Sequence, residues 1–410
     1  MSFQQALSGL NAAAKNLDVI GNNVANTATV GFKSSQAQFS DVYASALTGG
    51  GGSQVGIGTK LATVAQQFTQ GNVTATNNPL DVAISGNGFF QVDNAGTLGY
   101  TRNGQFQIDK NEFLVNSLGY KVQGYPIVGG LVGGNPGDIQ LATTILAPSA
   151  TTSAAISLNL DSRASSLSSA AFNYADATTY TSSTSISIYD SLGNAHIYSM
   201  YFLKTGSNAW NSYATLTTSA GSTVNLSTGG PLSNLTFTSS GAISGGSSAT
   251  QTISTAQLGT GAAALSTAMS FAGSSQYGST FGVNAITQDG YASGKLNGFS
   301  IGSDGFIKAR YSNGQTVDKA QLVLAAFANT QGLQPLGNNL FAETSASNQA
   351  TVGAPGSGKL GLLTAAAVEE SNVDLTAELV SMITAQRNYQ ANSQTIKTQD
   401  QILQTLVNLR

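Results

Sequence analysis

The last forty residues of the chain, Ser371 to Arg410, contain neither proline nor glycine. Within them, alternating steps of four and three pick out Leu375, Leu379, Met382, Gln386, Tyr389, Ser393, Ile396, Asp400, Leu403 and Val407. This is a heptad seam with polar breaks at Gln386, Ser393 and Asp400, and it predicts one long helix. Ser371 and Asp374 fit its start, where a hydroxyl and a carboxylate three residues later satisfy free backbone N–H groups. Val380, Ile383, Ile402, Leu406 and Leu409 fall off the seam, so the apolar face is wider than one partner helix needs. A helix of roughly 37 residues is about 55 Å long at 1.5 Å per residue. It cannot bury such a face alone.

The same spacing returns at the other end of the chain. Phe3, Leu7, Leu10, Ala14, Leu17 and Val24 repeat it, with Ala13 and Ile20 alongside, and predict a second amphipathic helix ending near Asn22 and Asn23. Two ordinary helices packed on a globular domain are the plainer reading. However, coiled-coil-like helices need facing partners, and these two stand at the extreme ends. The economical arrangement pairs the termini and leaves the surplus apolar width for neighbouring molecules.

Between the helices the period changes to two. Residues 25–70 read as a linker, with a flexible point at Gly49 to Gly52 and strand-like alternation at Val55, Ile57, Leu61 and Val64. From 71 to 145 the pattern is short strands and tight turns: Leu80, Val82 and Ile84, then Gly86-Asn87-Gly88, then Phe89 to Asp93. Asn103-Gly104, between Tyr100 and Phe106, signals a hairpin. Residues 146–284 are crowded with Ser and Thr, and no charge occurs between Lys204 and Asp289. Thr184 to Asp190, Ile197 to Leu203 and the segment at Trp210 nevertheless predict a three-strand meander and hence a second β domain. Short strands and tight turns resume from 285, with Gly305 to Tyr311, Asn313-Gly314 and the apolar run Leu322 to Phe327.

The expected fold is therefore mainly β and multi-domain, with nested discontinuous domains. A terminal helical coiled coil (1–24 with 364–410) encloses the linker 25–70 and a core β domain (71–145 with 285–363). The core in turn carries an inserted outer β domain (146–284).

Composition narrows the function. Charged residues are 9% of the 410, against about 25% in ordinary soluble domains. With a net charge of −3 and no basic–aromatic interleaving, no nucleic-acid partner is expected. No apolar run reaches the roughly 18 residues that would cross a bilayer, so no membrane insertion is expected. The first charge is Lys15, so no cleaved signal peptide is expected either.

The chemistry is equally sparse. There is no cysteine, and the single histidine, His196, reads as a surface or strand residue with nothing to complete a metal or nucleophile constellation. No catalytic residue, cofactor site or metal site is expected. Gly353 to Lys359 matches the G-x-x-x-x-G-K core of a phosphate-binding loop, but Leu360 replaces the hydroxyl that would hold Mg²⁺. It reads as a hinge into the terminal helix.

These residues together resemble a known family. SGLNAA (Ser8–Ala13), NLDVIGNNVAN (Asn16–Asn26) and GFK (Gly31–Lys33) closely resemble the start of the flagellar rod and hook family of bacterial axial proteins. ESNVDL (Glu370–Leu375), ELVSMI (Glu378–Ile383), QRNY (Gln386–Tyr389) and IKT (Ile396–Thr398) resemble its C-terminal half. DSLGNAH (Asp190–His196), LVNLR (Leu406–Arg410) and the chain length resemble the hook members rather than the shorter rod members.

The resemblance implies a structural polymer and no enzyme. It would leave the cell through the flagellar type III export apparatus, assemble under a hook cap, and form a curved flexible tube carrying torque from rod to filament. Implied partners are further copies of itself, the rod, the cap, the hook–filament junction proteins and the export apparatus. The residues expected to carry polymerisation are Phe3, Leu7, Leu10, Leu17, Ile20, Leu375, Leu379, Met382, Ile383, Tyr389, Ile396, Leu403 and Leu406. A rod-type axial protein and a secreted Ser/Thr-rich β adhesin are the alternatives.

Overall fold

The computed structural model describes residues 3–42, 56–168 and 172–408. The expected flexible point Gly49–Gly52, together with Val55, Leu409 and Arg410, lies outside the described residues. The chain forms two compact units, one of residues 1–143, 298–310 and 316–410, the other of 144–297 and 311–315.

The second unit is built from period-two alternation. Strands Ser182–Tyr189, Ala195–Gly206 and Ala209–Thr217 form the antiparallel meander, in register from Ile188↔His196 and from Tyr201↔Tyr213. A second sheet is centred on Ser153–Asp161, which pairs antiparallel with Gly282–Gln288. Inward residues of both sheets, among them Ile156, Leu158, Tyr198, Met200, Phe202, Trp210 and Leu216, share one buried cluster. Ser and Thr take many of the alternate outward positions, so a charge-poor, Ser/Thr-rich sequence still folds: its apolar half sits at the right period. The indole N–H of Trp210 donates to Gln276 at 2.7 Å, so the buried ring leaves no orphan donor.

His196, expected as a surface or strand residue, lies on the strand Ala195–Gly206 and not at the surface. It is fully buried, because its strand turns that side chain to the core face. Nδ1 accepts from the Ser219 N–H, which leaves Nε2 to donate to Asp190 at 3.2 Å. Asp190 also accepts from Asn194 and from the Thr260 hydroxyl. The DSLGNAH signature is thus a stapled turn.

In the first unit, sequence from both halves of the chain closes each layer. Val73–Ala75 pairs with Ala367–Glu369, and Val82–Ser85 with Leu362–Ala365, both antiparallel. Phe68, Phe89, Phe327, Phe341 and Tyr100 meet edge to face, which ties residues far apart in sequence into one aromatic cluster.

Three local expectations change. Residues 25–70 are more than a linker, since Ser35–Val42 and Gly58–Gln66 form an antiparallel ribbon. Asn103-Gly104 does not make a hairpin: Thr97–Thr101 pairs with Phe89–Asn94, while Phe106–Ile108 pairs with Leu114–Asn116. Glycine is required there because a Cβ at Gly104 would lie 1.7 Å from the Val82 carbonyl oxygen. Finally, Gly353–Lys359 is a turn between strands Thr351–Gly353 and Leu362–Ala365, fastened by Gly356 N–H to Gly361 O at 2.9 Å. No helix follows it directly, so it is neither a phosphate loop nor a hinge into the terminal helix.

Candidate assembly interface

The N-terminal helix runs Phe3–Ala25 and the C-terminal helix Leu375–Asn408, and the two pack against each other. The C-terminal helix starts later than expected. Asp374 is its cap, accepting from the N–H groups of Thr376 and Ala377 at 2.9 and 3.1 Å, while Ser371 bonds only Val373 N–H.

The contact line differs from the predicted seam. On the N-terminal helix the buried residues are Ala6, Ala13, Ile20 and Asn23, a stripe with a repeat of seven. On the C-terminal helix Ala385 is buried, and Glu378, Met382, Asn392, Ile396 and Gln399 are half-buried on the same face. Met382 and Ile396 belong to both lines. The supposed polar breaks Gln386 and Asp400 are exposed, and Ala385 and Gln399 take the inward places beside them.

Small residues set this choice. A Cβ on Gly9 would stand 2.8 Å from Asn392 Oδ1, so the helices approach where side chains are least bulky. The heptad pattern put the largest apolar residues inside. Instead the chain turns many of them out. Phe3, Leu7, Leu375, Leu379, Ile383, Tyr389 and Leu403 are each between 38% and 51% exposed. Leu10 and Leu17 are half-buried and Ile20 is buried. Leu406 lies outside the residues whose side chains are described.

A polar seam at the base of the pair is invisible to periodicity. Asn23 donates to Glu378 at 2.9 Å and to Ser35 O at 2.8 Å, and accepts from Ser35 N–H. Asn372 accepts from Ser34 N–H at 2.7 Å and donates to Gln67 O. Below it, the fully buried Glu369 takes Lys33 Nζ at 2.6 Å and Gly71 N–H at 2.9 Å on one oxygen, and Arg102 at 3.2 Å on the other. Burial pushes Lys33 and Arg102 below their ordinary values, and bonding to Glu369 opposes it. Arg102 also lies over the Phe89 ring. The available signal is rarity: in a charge-poor chain, Lys33, Arg102 and Glu369 each sit close to apolar or glycine residues. Nothing local, however, says that they meet.

Among the described residues no group of three or more His, Cys, Asp or Glu stands close enough to hold a metal ion. Among them, too, no helix is long and apolar enough to cross a membrane. One face of each helix is used inside the chain, and large apolar side chains on both helices are left in solvent.

Comparison with known proteins agrees in all parts of the chain. Residues 3–33 match the family of flagella basal body rod proteins, and 364–409 the C-terminal region of flagellar basal body rod FlgEFG proteins. Residues 83–160 match the flagellar hook protein FlgE/F/G D1 domain, and 159–291 the flagellar basal body protein FlaE D2 domain. A crystal structure of a Helicobacter pylori flagellar hook protein covers 72% of this chain and 99% of its own, with a TM-score of 0.54 at 15% identity, a likeness of fold. The Escherichia coli flagellar hook protein FlgE is 46% identical over the whole of both chains. The Salmonella typhimurium flagellar hook protein FlgE is also 46% identical, again over all of both chains, and the chain belongs to this flagellar hook protein family.

Proposed function

We propose that the chain is the structural subunit of a bacterial flagellar hook, polymerising into a curved flexible tube that transmits torque. The observation that carries this reading is the two-faced pair of terminal helices. Seven of the thirteen residues singled out for polymerisation are large apolar side chains at least 38% exposed in the single chain. Fully burying such a side chain contributes about 1.5–3 kcal/mol, so covering several of them favours association strongly. An apolar face complementary to a different face of the next copy makes a heterologous contact, and such contacts propagate as a helix.

In this reading the paired helices line the tube and the β-rich parts face outward. There, faces poor in charge and rich in Ser and Thr slide past neighbours without breaking strong ion pairs. The rod, the cap and the hook–filament junction proteins bound the polymer, and the chain reaches the tip through the type III export apparatus.

Electron microscopy of the purified chain, beside a variant lacking residues 372–410, tests the reading. Tubes from the first and soluble particles from the second are expected. Tubes from both would remove the helices from the mechanism.

A further inference from the structure

In a tube that carries torque, force passing between the helix pair and the β core must cross the joint between them. Covalently that joint is two strands of chain. One leaves the N-terminal helix near Ala25 and enters the ribbon; the other runs from Glu369 to the cap Asp374. Two peptide strands alone would let the helices swivel. Besides the packing of the N-terminal helix on the ribbon, the polar seam bridges the joint by successive rungs. Residues 33, 34 and 35 are bonded in order to Glu369, to Asn372 and, through Asn23, to Glu378.

The lowest rung reaches deepest into the β core, through Arg102. Glu369 is bonded on both carboxylate oxygens and through its backbone. Its Oε1 takes Lys33 and Gly71, its Oε2 takes Arg102, its carbonyl takes Gly31 N–H at 2.7 Å, and its strand pairs with Val73–Ala75. Lys33 adds a bond to Thr69 O at 2.7 Å, and Arg102 one to Gly86 O at 2.9 Å. The site has no slack. A Cβ on Gly71 would lie 2.0 Å from Glu370 O, and one on Gly31 would lie 2.7 Å from Asn103 N.

The charge is also unbalanced, with two buried cations held by one carboxylate. A buried ion triad of this kind adds little net stability compared with an apolar replacement, yet removing one member is expensive. What it adds is direction, because Lys33 and Arg102 reach the Glu369 carboxylate together only when the three segments meet in this arrangement.

We propose that Glu369 is the positioning residue of this joint, fixing the helix pair at one orientation on the β core so that the subunit bends as a unit. The proposal rests on the hook reading above. Its mechanism is electrostatic: with Glu369 neutral, Lys33 and Arg102 face each other without a counter-charge and push the joint open.

The test uses polymers grown from full-length chains, comparing the parent, E369Q and the double variant K33M/E369Q. Amide exchange is followed at Gly31 and Gly71, whose N–H groups bond Glu369, and at the strand Phe89–Asn94 as an internal control. Bending stiffness is measured by electron microscopy of the same tubes. In E369Q, exchange at Gly31 and Gly71 rises at least about tenfold while the control strand stays within about twofold, and the tubes soften. Removing the second cation in K33M/E369Q restores a measurable part of both.

If E369Q fails to form tubes, assembly by the double variant supports the proposal, and failure of both overturns it. Parent-like exchange and stiffness in E369Q also overturn it. A parent chain that forms no tubes would instead sink the hook reading, so the two failures are distinguishable.

Discussion

Lys33 and Glu369 stand 336 positions apart in sequence, and their charged atoms stand 2.6 Å apart. Neither side chain touches solvent. The pair joins the end of the N-terminal signature GFK to the residue just before the C-terminal one, and Arg102 of the β core completes it. The two most diagnostic stretches of the sequence are therefore also the two stretches that must find each other in space.

The triad predicts an asymmetry in stability. Lys33→Met leaves Glu369 bonded to Arg102 and to Gly71 N–H. Glu369→Gln leaves two buried cations without a counter-ion, a loss of about 3–5 kcal/mol on the usual scale for broken buried pairs. Urea unfolding of the full-length chain should show E369Q destabilised at least about twice as much as K33M. Equal losses would mean that the cations are solvated in the native state.

The close approach at Gly9 predicts a size threshold. A methyl group there meets Asn392 Oδ1 at 2.8 Å, the far end of a flexible side chain, so Gly9→Ala is tolerated. Coupled with Asn392→Ala, it should stabilise the helix by about 0.5–1 kcal/mol, because alanine loses less backbone entropy than glycine. Gly9→Val forces the helices apart and should cut polymer yield in a sedimentation assay more than about tenfold. Normal tubes from G9V would show that the pair does not need this contact.

The two faces of the C-terminal helix should separate folding from assembly. Ile383 is exposed and Ala385 is buried, although a single residue separates them in sequence. Ile383→Asp and Leu403→Glu should leave the unfolding free energy of the single chain within about 0.5 kcal/mol of the parent, as surface changes usually do. Both should block polymerisation. Ala385→Asp puts an unpaired charge between the helices and should lose helix pairing as well. Tubes of normal appearance from I383D and L403E would count against the exposed face as the assembly surface.

Acid sensitivity in the second unit should trace to Asp190. Burial alone would raise its carboxyl, but bonds from Asn194, Thr260 and His196 win and hold it well below the usual carboxylate range. A depressed folded-state pKa means that protons bind the unfolded chain first as pH falls. The contribution is therefore complete above about pH 4 and is lost progressively at lower pH. Between pH 5 and pH 2 the parent should lose at least about 1 kcal/mol more than Asp190→Asn, read from urea midpoints at each pH. At neutral pH the same variant should be about 2–3 kcal/mol less stable, since the amide cannot accept all of the bonds. Parallel acid profiles would show that Asp190 is solvated.

Much of this is legible in the residues. The heptad spacing of Leu375 to Val407 gives the long helix, and the alternation around Tyr198 and Trp210 gives the meander, because both periods follow from local backbone geometry. The same logic misplaces His196. Alternation shows that neighbours face opposite ways, but not which face a second sheet will cover. It also misassigns Asn103-Gly104, where glycine is set by the backbone of Val82 passing alongside rather than by a two-residue turn.

By itself the sequence determined the periodicities and the signatures at both ends. Tertiary structure alone decided which stripe of each terminal helix is spent inside the chain. Ala6, Ala13 and Ala385 are buried, in a helix pair that also packs on the ribbon, while Phe3, Leu379 and Ile383 stay exposed. It alone also brought Lys33, Arg102 and Glu369 together. The affinity of a buried carboxylate for two cations depends on distance in space, and separation along the chain carries no trace of that distance.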